Sequence, residues 1–412
     1  MKISIGNLFF RGLTLASKFL FVFFIGKYSV DESNLGLFGI IASTTAIMIY
    51  FLGFDFYVFN TREILNDNKN RPFKFYNQLY FHLALYLIFL PPFYFFLKTS
   101  TFLPNEFIFI ICFLVISEHI GQETFRLFAT LEKSFLANAM LFIRSGAWVW
   151  LVFFDFFVLN NSVNLKRYLT FWVAFSTISS LFSLGIIIIT ELNSKLEFIR
   201  PNFIWIFKGI KTAAVFFIST LSIQVINFSD RFIIDFFLGK KYVGAYTAYA
   251  NFSNAIEVFT FSAITIIAYP ILIKSYKENI DAYKQRMKEY GKKLIILSIV
   301  LILLAIIIGP FIFDYMEKPL IIKEQKTFYT LLIGVLFLIA SNIYHYDLYI
   351  KGRDNIILRA SLIGAATNIV LNIFLIKKLG IQGAAVSTAI SYFSILIYKR
   401  YYSAKKDSTR PN

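Results

Sequence analysis

The sequence predicts an all-α polytopic membrane protein with twelve transmembrane helices in two six-helix, pseudo-symmetric lobes. Three observations carry that prediction. Of the 412 residues, 58% are apolar and 19% aromatic, more apolar surface than a soluble chain of this length can bury. The apolar residues fall into twelve runs, each of about 20 residues or more, enough to cross about 30 Å of hydrocarbon. The Lys and Arg residues concentrate in alternate connecting segments, as membrane topology requires.

Taken in order, the runs lie at roughly 4–25, 35–55, 75–97, 106–130, 136–159, 169–191, 209–238, 244–273, 293–313, 327–350, 356–376 and 380–398. The first is long, carries Arg11 and Lys18, and has no small-residue cleavage site behind it, so it reads as a span and not a removable leader. With both termini in the cytoplasm, the inside segments hold more than twice as many basic groups as the outside loops. Lys2, Lys69, Lys195, Lys284, Lys405, Lys406 and Arg410 fall inside; Lys27, Lys98, Lys166, Lys323 and Lys377 fall outside. Spans one to six then form an N-lobe, 1–206, and spans seven to twelve a C-lobe, 207–412, with a short cytoplasmic tail. The outside loops are too short to hold a soluble domain, so the chemistry belongs between the helices. The net charge of +17 does not point to nucleic acid, because the basic groups sit between apolar runs and form no continuous stripe. The single cysteine, Cys112, lies in an apolar run and rules out an internal disulfide.

The two halves share a short likeness. FFIGKY (23–28) closes span one and FFLGKKY (236–242) closes span seven. Each is followed by a glycine-led helix, LGLFGIIAS from Leu35 and VGAYTAYANFS from Val243. In that register Lys18 aligns with Arg231 and Ser17 with Asp230. Parallel six-span halves around a substrate cavity are a recurrent transporter plan.

Ions inside a span cost about 2.5–3.5 kcal/mol each on insertion scales, so they face the protein interior and mark function. Span one carries Arg11 and Lys18 on one helical face with Thr14 between them. Span four holds Glu118, His119, Gln122, Glu123 and Arg126, and Glu123 is placed to pair with Arg126 at i, i+3. Span five contributes Arg144; span seven Gln224, Asn227, Asp230, Arg231 and Asp235; span eight Asn251, Asn254 and Glu257. Arg11, Lys18, Arg126, Arg144 and Arg231 form the candidate cationic lining. Glu118, His119, Glu123, Asp230, Asp235 and Glu257 are the candidate coupling or charge-balancing groups. Asn368 and Asn372 of span eleven read as interhelical hydrogen-bonding residues.

Other chemistry lacks its signature. His82, His119 and His345 are far apart in the chain and show no metal-ligand spacing. No P-loop or GxSxG element is present, so neither a catalytic residue, a metal nor a cofactor is expected.

DRFIIDFFLGKKYVGAYTAYANFS (230–253) resembles the seventh-to-eighth-helix signature of polysaccharide flippases. NIVLNIFLIKKLGIQGAAVSTAISYF (368–393) resembles the last two helices of the same family, with its Asn-x-x-x-Asn pair and the Gly383-Ala384-Ala385 step. These motifs are shared with the drug-efflux (MATE) and lipid II flippase branches of the superfamily. Lys377 stands where a proline commonly follows helix eleven, and Asp235 replaces a small or apolar residue. The resemblance implies a Wzx-type flippase of MATE-like fold in the cytoplasmic (inner) membrane. It would carry an undecaprenyl-pyrophosphate-linked oligosaccharide to the outer leaflet for O-antigen or capsule assembly. Membrane lipids surround it, and a polysaccharide polymerase and a chain-length regulator are candidate partners. Arg231 would face the anionic cargo, with Asp230 or Asp235 balancing it when the site is empty.

Two alternatives belong to other classes. A MATE-type exporter of cationic drugs calls for a net acidic cavity, against five intramembrane basic groups here. A polysaccharide polymerase calls for a large external loop.

Overall fold

The computed structural model describes residues 5–67, 70–192 and 199–405. Lys2, Lys69, Lys195, Lys406 and Arg410 of the topology argument lie outside them. Among the described residues no strand forms, and twelve helices are long and apolar enough to cross a membrane: Phe9–Tyr28, Ser33–Gly53, Arg71–Thr99, Asn105–Thr130, Ser134–Val158, Leu165–Glu191, Phe203–Leu238, Lys240–Glu278, Ile280–Met316, Lys326–Ile350, Asp354–Leu379 and Ile381–Ala404. The chain is a multi-pass membrane protein. Large apolar side chains such as Leu87, Ile204, Phe236 and Phe311 stand exposed on the helices, a surface that only lipid tails cover without penalty.

Local chemistry sets the helix ends. Asn164 opens span six by accepting the Arg167 amide at 3.0 Å, and Asn279 opens span nine by accepting the Asp281 and Ala282 amides at 2.8 and 3.1 Å. Spans seven and eight are separated by Gly239 alone, at φ +86°, and spans eleven and twelve by Gly380 at φ +63°. A side chain at either position meets the left-handed penalty, so glycine permits the reversals. Two further short helices lie between spans: Phe56–Asn66 and Pro319–Lys323.

The helices form two compact units. One holds the residues up to Ile25 together with Ile40–Phe217; the other holds Gly26–Gly39 together with the chain from Ile218 onward. The second unit therefore includes the hairpin tip between spans one and two. Lys318 donates to the Ser29 carbonyl at 2.6 Å, and the Glu32 carboxylate accepts the Leu320 amide at 3.2 Å. Lys27 bonds Glu317 at 2.6 Å and holds that carboxyl below its ordinary value.

In the first unit, small hydroxyl residues let the helices approach. Ser176, Ser179, Ser180 and Ser183 of span six are buried. Ser179 donates to the Met140 carbonyl of span five at 2.9 Å, and Ser180 to the Ser117 carbonyl of span four at 2.7 Å. Span five is locally widened to π-helix at Ile143–Ala147, the turn that carries Arg144; such bulges re-aim side chains.

Candidate functional site

Charged side chains gather inside the first unit in two adjoining groups. In one, Arg144 lies across span four, its Nη1 donating to the Glu118 carbonyl at 3.1 Å and its Nε 3.4 Å from the Glu118 carboxylate. Gly121 makes this possible, since a Cβ there would come within 2.5 Å of the Arg144 Cδ. The other Glu118 oxygen accepts the Trp172 indole N–H at 2.8 Å. Lys18 lies within electrostatic reach of Glu118 and Arg144. The residue is exposed although it is midway along span one. Arg11, two turns earlier, has no charged partner among the described residues.

The second group centres on Glu123. Arg126 Nη1 donates to it at 2.6 Å, the i, i+3 pair that the spacing predicts, while Arg126 Nη2 is 3.7 Å from Asp55 and the guanidinium lies over the Tyr57 ring. The other Glu123 oxygen accepts from Gln78 Nε2 at 2.8 Å and lies 3.5 Å from His82 Nε2. The His119 ring centre is 4.8 Å from that of His82. This corrects the expectation that the histidines are dispersed. His82 and His119 meet because spans three and four pack side by side; only His345 stands apart, beside Lys399 in the second unit.

In the second unit, Asp230 is the hub. It accepts from Asn372 at 2.5 Å, from Thr388 at 2.9 Å and from the Tyr246 hydroxyl. Asn368 accepts from Ser229 and Asn372, each at 3.0 Å, so the asparagine pair does join spans seven, eleven and twelve. Arg231 donates to the Asn227 carbonyl at 2.7 Å and lies near the rings of Phe228 and Tyr246. Asp230 lies within electrostatic reach of Arg231, but neither Asp230 nor Asp235 forms a direct ion pair with it. Asp235 instead binds Lys240 at 3.0 Å across the Gly239 reversal, and Asp230 is taken up by its three donors. Glu257 has Asn342 as its hydrogen-bond partner.

Sequence reasoning did not single out Asp55, Gln78, Trp172, Tyr246 or Thr388, and it set His82 aside for want of a ligand spacing. Asp55 carried a signal, an acid directly after an apolar span. The rest are ordinary residues that acquire roles only through packing.

The polysaccharide biosynthesis protein family model matches residues 3–276. The chain belongs to this family. A curated relative, an uncharacterized membrane protein of Methanocaldococcus jannaschii, is 33% identical over 94 residues; the match spans 23% of this chain and 18% of that protein's length. Among solved structures, the lipid II flippase MurJ in an inward closed conformation matches with TM-score 0.72 at 15% identity, covering 97% of this chain and 86% of that one. An inward-facing multidrug resistance MATE transporter matches with TM-score 0.69 at 13% identity, covering 95% and 93%. A MOP superfamily transporter from Pyrococcus furiosus matches with TM-score 0.64 at 13% identity, covering 97% and 92%. At these identities the likeness is one of fold: this polysaccharide biosynthesis family member has the MATE-like arrangement of twelve helices.

Proposed function

We propose that this family member is a flippase for a lipid-linked oligosaccharide. It moves an undecaprenyl-pyrophosphate-linked repeat unit from the cytoplasmic to the outer leaflet of the cell's inner membrane by alternating access, for O-antigen or capsular polysaccharide assembly. Both termini are cytoplasmic in this reading, following the basic-residue bias. The observation that carries it is Lys18: a residue exposed midway along a span, in no ion pair among the described residues and facing Glu118 only at electrostatic range. A cation at that depth without a close counter-ion is costly unless an anion visits it. A pyrophosphate brings several negative charges that cannot enter hydrocarbon unaided. Within the first unit Lys18 and Arg144 supply charge-assisted donors, with Arg11 and Arg126 as further cationic groups; Arg231 is a candidate cation of the second unit, considered by itself. Arg126 is the most fully neutralised of these, by Glu123 and Asp55, and so offers the least to an anion. Glu118, His119, Glu123, Asp230, Asp235 and Glu257 are the groups available for coupling or charge balance.

The test is reconstitution. Proteoliposomes carrying the protein should expose a fluorescent polyprenyl-pyrophosphate oligosaccharide to a membrane-impermeant quencher faster than protein-free vesicles. Transport of a cationic dye without movement of the lipid would make the protein an exporter instead.

A further inference from the structure

We infer that His82, His119 and Glu123 form a site for a divalent transition metal ion, of the zinc class, that braces spans three and four of the first unit. Both imidazoles and the carboxylate are buried, at 6%, 1% and 6% exposure. One ligand atom from each lies within 4.8 Å of the other two. Metal–ligand bonds of about 2.0–2.1 Å in a tetrahedron place neighbouring donors about 3.3 Å apart. His82 Nε2 and Glu123 Oε2 are already at 3.5 Å.

The orientation of the rings points the same way. A ligating histidine normally engages its other nitrogen with a carbonyl or similar group, which fixes ring and tautomer. His82 Nδ1 is 3.0 Å from the Leu52 carbonyl, an acceptor only, so the proton is on Nδ1 and the Nε2 lone pair faces Glu123. His119 Nδ1 is 2.6 Å from the Tyr86 hydroxyl, and its Nε2 is buried without a hydrogen-bond partner. A fully buried, unsatisfied ring nitrogen calls for an explanation. A metal bond supplies one.

Room for a fourth ligand lies beside Gly53. A Cβ built there would stand 3.4 Å from His119 Nε2 and 3.5 Å from Glu123 Oε1, so glycine leaves this space unfilled. Without metal, the Gln78 amide spans Glu123 Oε2 at 2.8 Å and His82 Nε2 at 3.2 Å, holding both donors at the spacing a metal requires. Two imidazoles and a carboxylate with one open position form a recurrent zinc donor set.

The test uses the full chain in detergent, stripped with chelator and desalted, then titrated with Zn²⁺ and, for its visible spectrum, Co²⁺. One Zn²⁺ per chain should bind, and Co²⁺ should show the intense d–d bands of a four-coordinate site. His82→Ala and His119→Ala should each weaken Zn²⁺ at least tenfold, Tyr86→Phe by less, and His345→Ala not at all. Thermal unfolding without metal establishes that each variant is folded; should a ligand variant fail to fold, the wild-type stoichiometry and the Tyr86→Phe shift decide. No stoichiometric uptake by the wild type, or wild-type affinity in folded His119→Ala, overturns the site. None of these readouts depends on flipping, so their failure leaves the proposed function standing.

Discussion

Gly36 and Gly244 pack reciprocally in the second unit. A Cβ on Gly36 would come within 2.0 Å of the Lys240 carbonyl oxygen, and a Cβ on Gly244 within 2.1 Å of the Glu32 carbonyl oxygen. Each glycine thus faces the backbone four residues before the other. These are the glycines that lead the two helices following FFIGKY and FFLGKKY, so the segments alike in sequence are also in contact. Backbones meet this closely only where both positions lack side chains.

Gly36→Val and Gly244→Val should therefore destabilise strongly, beyond the roughly 1–3 kcal/mol of ordinary overpacking, because the obstacle is backbone. Gly185→Ala is the contrast, since nothing lies within 4 Å of its built Cβ. Melting temperature and monodispersity in detergent should fall sharply for the first two and not for the third.

Asp230 accepts from Asn372, Thr388 and Tyr246, so Asp230→Asn turns an NH₂ group towards at least one donor. The lost bond and the facing donors should cost about 1–3 kcal/mol. Asn372→Asp is predicted to be worse, since it sets two carboxylates together. Thermal unfolding of the three proteins in one detergent measures both effects.

The basic-residue bias predicts the topology. Phosphatase fusions after Lys98, Lys166 and Lys323 should be active, and those after Lys284 and Lys405 inactive. An active fusion at Lys284 would overturn the span count.

What the sequence disclosed divides along a physical line. The spans were legible because lipid demands about 20 apolar residues wherever a helix crosses. The Glu123–Arg126 pair was legible because i, i+3 positions share a helix face. The meeting of His82 with His119 depends on which helices pack together, which no local spacing encodes. Arg231 and Asp235, a turn apart on span seven, looked like a pair. Yet the helix ends at Leu238, and the reversal at Gly239 brings Lys240 back to Asp235.

The central claim is that intramembrane cations serve an anionic cargo. The direct measurement is surface polysaccharide in a flippase-null strain carrying Lys18→Ala, Lys18→Arg, Arg231→Ala and Arg231→Ala with Asp235→Ala, at matched protein levels. A charged hydrogen bond worth about 1.5–3 kcal/mol predicts at least a tenfold loss for each single alanine variant. Lys18→Arg should retain more activity than Lys18→Ala, because its charge survives. Asp235→Ala should not restore Arg231→Ala, because Asp235 belongs to Lys240. Wild-type polysaccharide in Lys18→Ala, or full rescue by Asp235→Ala, would contradict the claim.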